Sequence, residues 1–190
     1  MYKVNLDKVQ DAAAHLRSVV LETPLAINTT QSRKFDSSIY FKREDLQQVR
    51  SYKIRGAYNK ISNLSKNEIE KGVVCASAGN HAQGVAYSCS KMKIRGLIFM
   101  PSPTPKQKIE QVKMFGGRHV EVILTGDTFD DTSKEARAYC EQNELPFIHP
   151  FDDKKVIEGQ ATIALEILEQ SDVGIDFLLL PVGGGGVASG

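Results

Sequence analysis

Short apolar runs alternate along this chain with longer stretches of helical period, and that alternation constrains the fold more than any other feature. Ile39 to Lys42, Val73 to Ala76, Leu97 to Met100, Val120 to Leu124 and Phe177 to Val182 are predicted strands. Asp7 to Val20 sets Val9, Ala13, Leu16 and Val20 at helical spacing. Gln83 to Met92, Lys106 to Phe115, Thr128 to Gln142 and Val156 to Gln170 are further predicted helices. The expected order is strand, helix, strand throughout, which is the pattern of a doubly wound α/β protein with mainly parallel strands.

A hydrophobic content of 41% over 190 residues suffices for a buried core. Lysine plus arginine total 24 against 23 aspartate plus glutamate, with no stripe of one sign. That balance argues against nucleic acid or an anionic membrane as partner. Neither a signal peptide nor an apolar run of membrane-spanning length is seen. Cys75, Cys89 and Cys140 are widely spaced and odd in number, which fits reduced thiols in a cytoplasmic protein and no metal site.

Near the C-terminus the run Phe177 to Val182 enters Gly183-Gly184-Gly185-Gly186, where a helix is expected to begin at about Val187. The expectation is a chain truncated in this loop, inactive alone, with the last covering helix of its sheet missing.

Three segments carry candidate chemistry. Lys53 lies in Ser51-Tyr52-Lys53-Ile54-Arg55-Gly56-Ala57-Tyr58. A lysine amine bonds to an aldehyde only when held near it and neutral, a state that burial favours; a solvated surface lysine is the ordinary alternative. The second segment, Ala76-Ser77-Ala78-Gly79-Asn80-His81-Ala82-Gln83-Gly84, follows a predicted strand and opens into a helix. Small residues there leave backbone amides free to face a carboxylate or phosphate at the positive helix end. An ordinary turn capped by Asn80 is the plainer possibility. Third, Gly183 to Gly186 sets four amides side by side without intervening side chains, a candidate phosphate cradle. The spacing Gly183-x-Gly185-x-x-Ala188 also fits a loose dinucleotide fingerprint, but no acidic residue follows at the required distance. His15, His119 and His149 stand in unrelated contexts and are taken as ordinary histidines, and Cys75 as a small strand hydrophobe.

Taken together, an amine, a carboxylate-binding turn and a phosphate loop are what an amino-acid enzyme using pyridoxal phosphate requires. Lys42-Arg43-Glu44-Asp45-Leu46-Gln47, then Ser51 to Ala57, Ala76 to Ala86 and Pro181 to Gly186 resemble, in order and spacing, the threonine dehydratase branch of the fold-type-II pyridoxal-phosphate enzymes. The match runs from about Glu22 to Gly190.

By that resemblance Lys53 is the catalytic lysine that bonds to the cofactor, and Asn80 binds the cofactor's phenolic oxygen. Gly183, Gly184, Gly185 and Gly186 with the Val187 amide hold its phosphate, while Ser77, Gly79, Asn80 and His81 receive the substrate carboxylate. Tyr52 departs from the phenylalanine more usual in the family. The resemblance also implies two domains: residues 1–71 begin the larger, residues 72–149 form the smaller, and residues 150–190 return to the larger. The implied reaction is β-elimination of L-threonine to 2-oxobutanoate and ammonia, the first step of isoleucine biosynthesis, by a homo-oligomer. Serine racemase and serine dehydratase are the rivals within the family. A racemase needs a second acid/base, usually a serine directly before the Gly-Asn pair, where this chain has Ala78. A catalytically silent fragment that binds only phosphate or a partner chain is the rival outside it.

Overall fold

A computed structural model describes residues 2–190. Helix α1 (Leu6–Leu16) starts at Asn5, whose side chain accepts the Asp7 amide, and it ends earlier than the predicted Val20. A short antiparallel pair follows, β1 (Leu25–Ile27) with β2 (Tyr40–Lys42), around helix α2 (Thr29–Phe35). Helices α3 (Lys53–Ser62) and α4 (Lys66–Lys71) come next, one directly after the other.

The central sheet is built from β3 (Val73–Ala76), β4 (Gly96–Met100) and β5 (Val120–Leu124), all parallel and in that spatial order. Helix α5 (Asn80–Met92) joins β3 to β4, and α6 (Lys106–Gly116) joins β4 to β5. Helix α7 (Phe129–Asn143) carries the chain back to the far edge of β3, where Phe147 bridges to Val74 in parallel. Side chains alternate across such a sheet with period two. Val73, Cys75, Ile98 and Met100 pack on one face beneath Ala57 and Ile61 of α3, Ala82 and Val85 of α5 and Val112 of α6. Val74, Ala76, Leu97 and Phe99 pack on the other against Ala136 and Cys140 of α7. Helices on both faces of a parallel sheet make the arrangement doubly wound, as the strand pattern implies.

Two sequence expectations are corrected. The strict strand, helix, strand order fails at α3 followed by α4 and again at α7 followed by the helix Lys154–Gln170, and β1 with β2 departs from the parallel pairing. Phe177 to Val182 is not a strand: among the described residues no strand lies beside it, and Phe177 and Leu179 are 86% and 88% exposed. Apolar composition favours a strand only where a neighbour supplies the ladder of hydrogen bonds.

Helix α8 (Lys154–Gln170) is capped by Asp153, which accepts the amides of Lys155 and Val156. It crosses α3 where two glycines meet. A Cβ at Gly159 would lie 2.7 Å from both the Arg55 carbonyl oxygen and the Gly56 Cα. Alanine favours a helix over glycine by about 1 kcal/mol, yet this contact is with backbone that cannot rotate away. Gly159→Ala should therefore destabilise the protein by about 1–3 kcal/mol in urea unfolding. A stabilised variant would mean that the two helices do not touch here.

Candidate active site

Lys53 is the first residue of α3 and half buried. Its Nζ donates a hydrogen bond of 2.6 Å to the Pro150 carbonyl and lies 5.5 Å from the centre of the Tyr52 ring. Burial lowers the pKa of the amine, because the charged form loses its water. Beneath it passes α5, brought close by Gly84: a Cβ there would sit 3.1 Å from the Lys53 carbonyl carbon and oxygen. The Ser51 hydroxyl is buried and has no partner. Tyr52 thus gives the Lys53 ammonium an aromatic neighbour, and desolvation raises the pKa of its phenol.

The turn after β3 begins with the Ser77 amide donating to the Phe99 carbonyl, 3.0 Å. Ser77 Oγ accepts the Gly79 amide at 3.2 Å, and Gly79, not Asn80, occupies the cap position. The first bond of α5 runs from the Gln83 amide to the Gly79 carbonyl, so the amides of Asn80, His81 and Ala82 precede the helical ladder. Nothing lies within 4 Å of the position a Cβ at Gly79 would take, and Asn80 is exposed. The turn therefore offers amides beside open space at the positive end of a helix of thirteen residues. The His81 ring, by contrast, points elsewhere. It is 3% exposed, its Nε2 bonds to the Ile148 carbonyl at 2.8 Å, and its Nδ1 has no partner. A carbonyl partner requires the proton on Nε2. Burial pushes the pKa of this imidazole down to about 4. At this turn His81 has its backbone amide to offer, not its side chain.

In the glycine loop, Gly185 adopts φ +85, and its carbonyl accepts both the amide and the hydroxyl of Ser189 at 2.9 Å. Side chains at Gly184 or Gly186 are excluded by Phe151, whose ring and Cα would lie 2.3 and 2.9 Å from a Cβ at those positions. Beside Gly183 the space is open.

All three segments meet on one short stretch that sequence reasoning passed over, Ile148 to Phe151. Ile148 takes the His81 ring, Pro150 takes the Lys53 amine, and Phe151 supports the glycine loop. His149, set aside as an ordinary histidine, stands in the middle of it. The only trace of this in the sequence is an aromatic residue between a proline and two aspartates, which means little until the loops pack on it. Among the described residues no group of three His, Cys, Asp or Glu side chains gathers as a metal site would, and no helix is long and apolar enough to cross a membrane.

Comparison with known proteins gives the arrangement a family. A family model described as pyridoxal-phosphate dependent enzyme matches residues 16–190. The chain is 52% identical over 190 residues to a protein named L-threonine dehydratase biosynthetic IlvA from Halalkalibacterium halodurans, covering 100% of this chain and 46% of that protein. Among solved structures it resembles the processed form of threonine deaminase isoform 2 from Solanum lycopersicum, with 42% identity and a TM-score of 0.88 over 97% of this chain and 51% of that one. It also resembles maize serine racemase, with 33% identity and a TM-score of 0.91 over 98% and 56%. The chain thus spans about half the length of the relatives it matches. The residues present fit a phosphorylated aldehyde cofactor: a desolvated amine, an open amide-lined turn, and glycines whose Cβ positions Phe151 has already filled. With that fit and a match over most of its length, the chain belongs to the pyridoxal-phosphate dependent enzymes.

Proposed function

We propose that this chain carries the cofactor-anchoring and proton-transfer residues of an L-threonine dehydratase, which forms 2-oxobutanoate and ammonia by β-elimination in the first step of isoleucine biosynthesis. Lys53 is the anchoring lysine. Its amine also takes the proton from the substrate α-carbon, and the burial that lowers its pKa enlarges its neutral fraction. Pyridoxal phosphate, when bound, supplies a conjugated ring into which the resulting negative charge spreads. Asn80 binds the phenolic oxygen, Gly183 to Gly186 with the Val187 amide hold the phosphate, and Ser77, Gly79, Asn80 and the His81 amide orient the substrate carboxylate. Residues 72–149 form the smaller domain, inserted between residues 1–71 and 150–190 of the larger one, with the site in the cleft between them. A cytoplasmic homo-oligomer completes the reading, and three free buried cysteines accord with a reducing compartment.

The observation that carries elimination over racemisation is the chemistry of the turn. Ala78 has no proton to give, Asn80 does not titrate, and His81 is held neutral with its ring on Ile148. Lys53 is left to move the proton, and the position directly before the Gly-Asn pair, where a racemase carries its serine, offers no second acid. The identity of 52% to the dehydratase, against 33% to the racemase, points the same way.

The test is to supply the full-length protein that carries this chain with pyridoxal phosphate and L-threonine and to measure 2-oxobutanoate and ammonia, expected in equal amounts. Formation of D-serine from L-serine without keto acid would assign the chain to the racemases instead. In the same assay Ala78→Ser should introduce D-serine while part of the elimination persists. A variant with no more D-serine than its parent would remove Ala78 from the argument.

A further inference from the structure

His149 is the one residue of the connecting stretch whose side chain shapes the stretch itself. Its Nδ1 accepts the amides of Asp152 at 2.7 Å and Phe151 at 3.3 Å, closing a turn between the bridge residue Phe147 and the cap of α8. The ring lies edge to face against Phe151, centroids 4.6 Å apart, and against Phe147 at 6.2 Å. That turn directs the Pro150 carbonyl to the Lys53 amine and sets Phe151 beneath Gly184 and Gly186. An imidazole accepts at Nδ1 only while that nitrogen is unprotonated; the imidazolium has two donors and no acceptor.

We infer that His149 is a positioning residue: its Nδ1 lone pair holds the 148–152 turn in the shape that presents Pro150 to Lys53 and Phe151 to the glycine loop, and a proton there releases both. The assignment of Lys53 and the glycine loop to cofactor rests on the function proposed above, whereas the turn itself does not. The groups facing the ring favour the neutral state on balance. Burial comes first, then Arg137 of α7, whose guanidinium lies 4.5 Å from the Phe147 ring centre. Asp152 and Asp153 of its own segment oppose them, and Lys53 of α3 adds to the positive side. His149 in turn disfavours the charged form of His81 of α5. The net effect lowers the pKa, so the turn is intact at neutral pH and opens as pH falls.

Three proteins test this: the parent, His149→Asn and His149→Leu. An asparagine oxygen accepts amides two and three residues on, as the imidazole does here, but does not titrate. The primary readout is hydrogen-exchange protection of the Phe151 and Asp152 amides against pH, measured without cofactor and corrected for intrinsic exchange. In the parent, protection should fall by about 10-fold as His149 titrates. His149→Asn should keep its protection across the same range, and His149→Leu should lack it throughout. Pyridoxal phosphate binding, followed by fluorescence, should weaken by about 10-fold in His149→Leu and recover in His149→Asn. Protection in His149→Leu equal to the parent's, or a pH-dependent loss in His149→Asn matching the parent's, would overturn the inference. If His149→Leu does not fold, the parent and His149→Asn still decide it. Protection behaving as expected without any threonine turnover by the full-length protein would instead count against the proposed function and leave the turn standing.

Discussion

In the full-length protein, Lys53→Ala should lower formation of 2-oxobutanoate from L-threonine by on the order of 10^2–10^4-fold from lost proton transfer alone, and further where the lost anchor leaves the cofactor unfixed. The fold should survive. Lys53 makes one hydrogen bond, to the Pro150 carbonyl, so its removal costs about 1 kcal/mol. Removing a desolvated amine offsets part of that. The melting temperature should accordingly stay within a few degrees of the parent, while the visible absorbance of the cofactor-bound protein disappears. Cofactor retained through the glycine loop alone would still dialyse out faster. The parent should also lose activity as pH falls, because the amine must be neutral to take the α-proton, and its lowered pKa moves that limb toward neutral pH. Turnover within 10-fold of the parent would remove Lys53 from the mechanism.

The strands of the central sheet were legible because β3 and β4 are buried on both faces and read as unbroken apolar runs. β1 was not: it has three residues, and Ile27 is 53% exposed, so no run marks it. Helix α3 went unseen for a different reason. Its buried face includes Arg55 and Asn59, which any hydrophobic pattern assigns to solvent. Phe177 to Val182 shows the converse error, since its composition matches that of β4 but among the described residues no strand pairs with it.

The candidate site was legible to the extent that its chemistry is local. Lysine in a fixed motif, an amide-rich turn after a strand and a glycine run each carry their meaning within a few residues. The stretch Ile148 to Phe151, which joins them, does not. Its contacts reach 67 residues back to His81 and 97 back to Lys53, and no short-range pattern encodes them. Arg55 was quoted as part of the lysine motif, yet nothing local announced that it is the largest fully buried side chain of the core.

Arg55→Met should cost about 3–5 kcal/mol of stability, because it leaves carboxylates facing a site from which their counter-ion has gone. Arg55 has 0% exposure and grips two glutamates at once. Nε and one terminal nitrogen bond to Glu44 at 2.8 and 2.7 Å, both terminal nitrogens bond to Glu166 at 2.6 and 2.9 Å, and Thr162 accepts at 3.1 Å. Burial alone would lower the guanidinium pKa, but these carboxylates outweigh it and raise it. Methionine roughly matches the buried stem, so the loss measures the ions and not a cavity. Glu166 keeps Lys42 at 2.5 Å, and Glu44 keeps Thr23 at 2.6 Å, so neither is wholly abandoned. Adding Glu44→Gln to Arg55→Met should therefore recover part of the deficit in urea unfolding, since a neutral amide still accepts from Thr23 where a charge is stranded, whereas Glu166 keeps Lys42 as its counter-ion. Because Arg55 stands two residues after Lys53 and ties α3 to both α8 and the Glu44 turn, the recovered double variant should still bind pyridoxal phosphate less tightly than the parent. A single Arg55→Met variant as stable as the parent would show that desolvation already cancels the attraction, leaving the network no net part in holding α3.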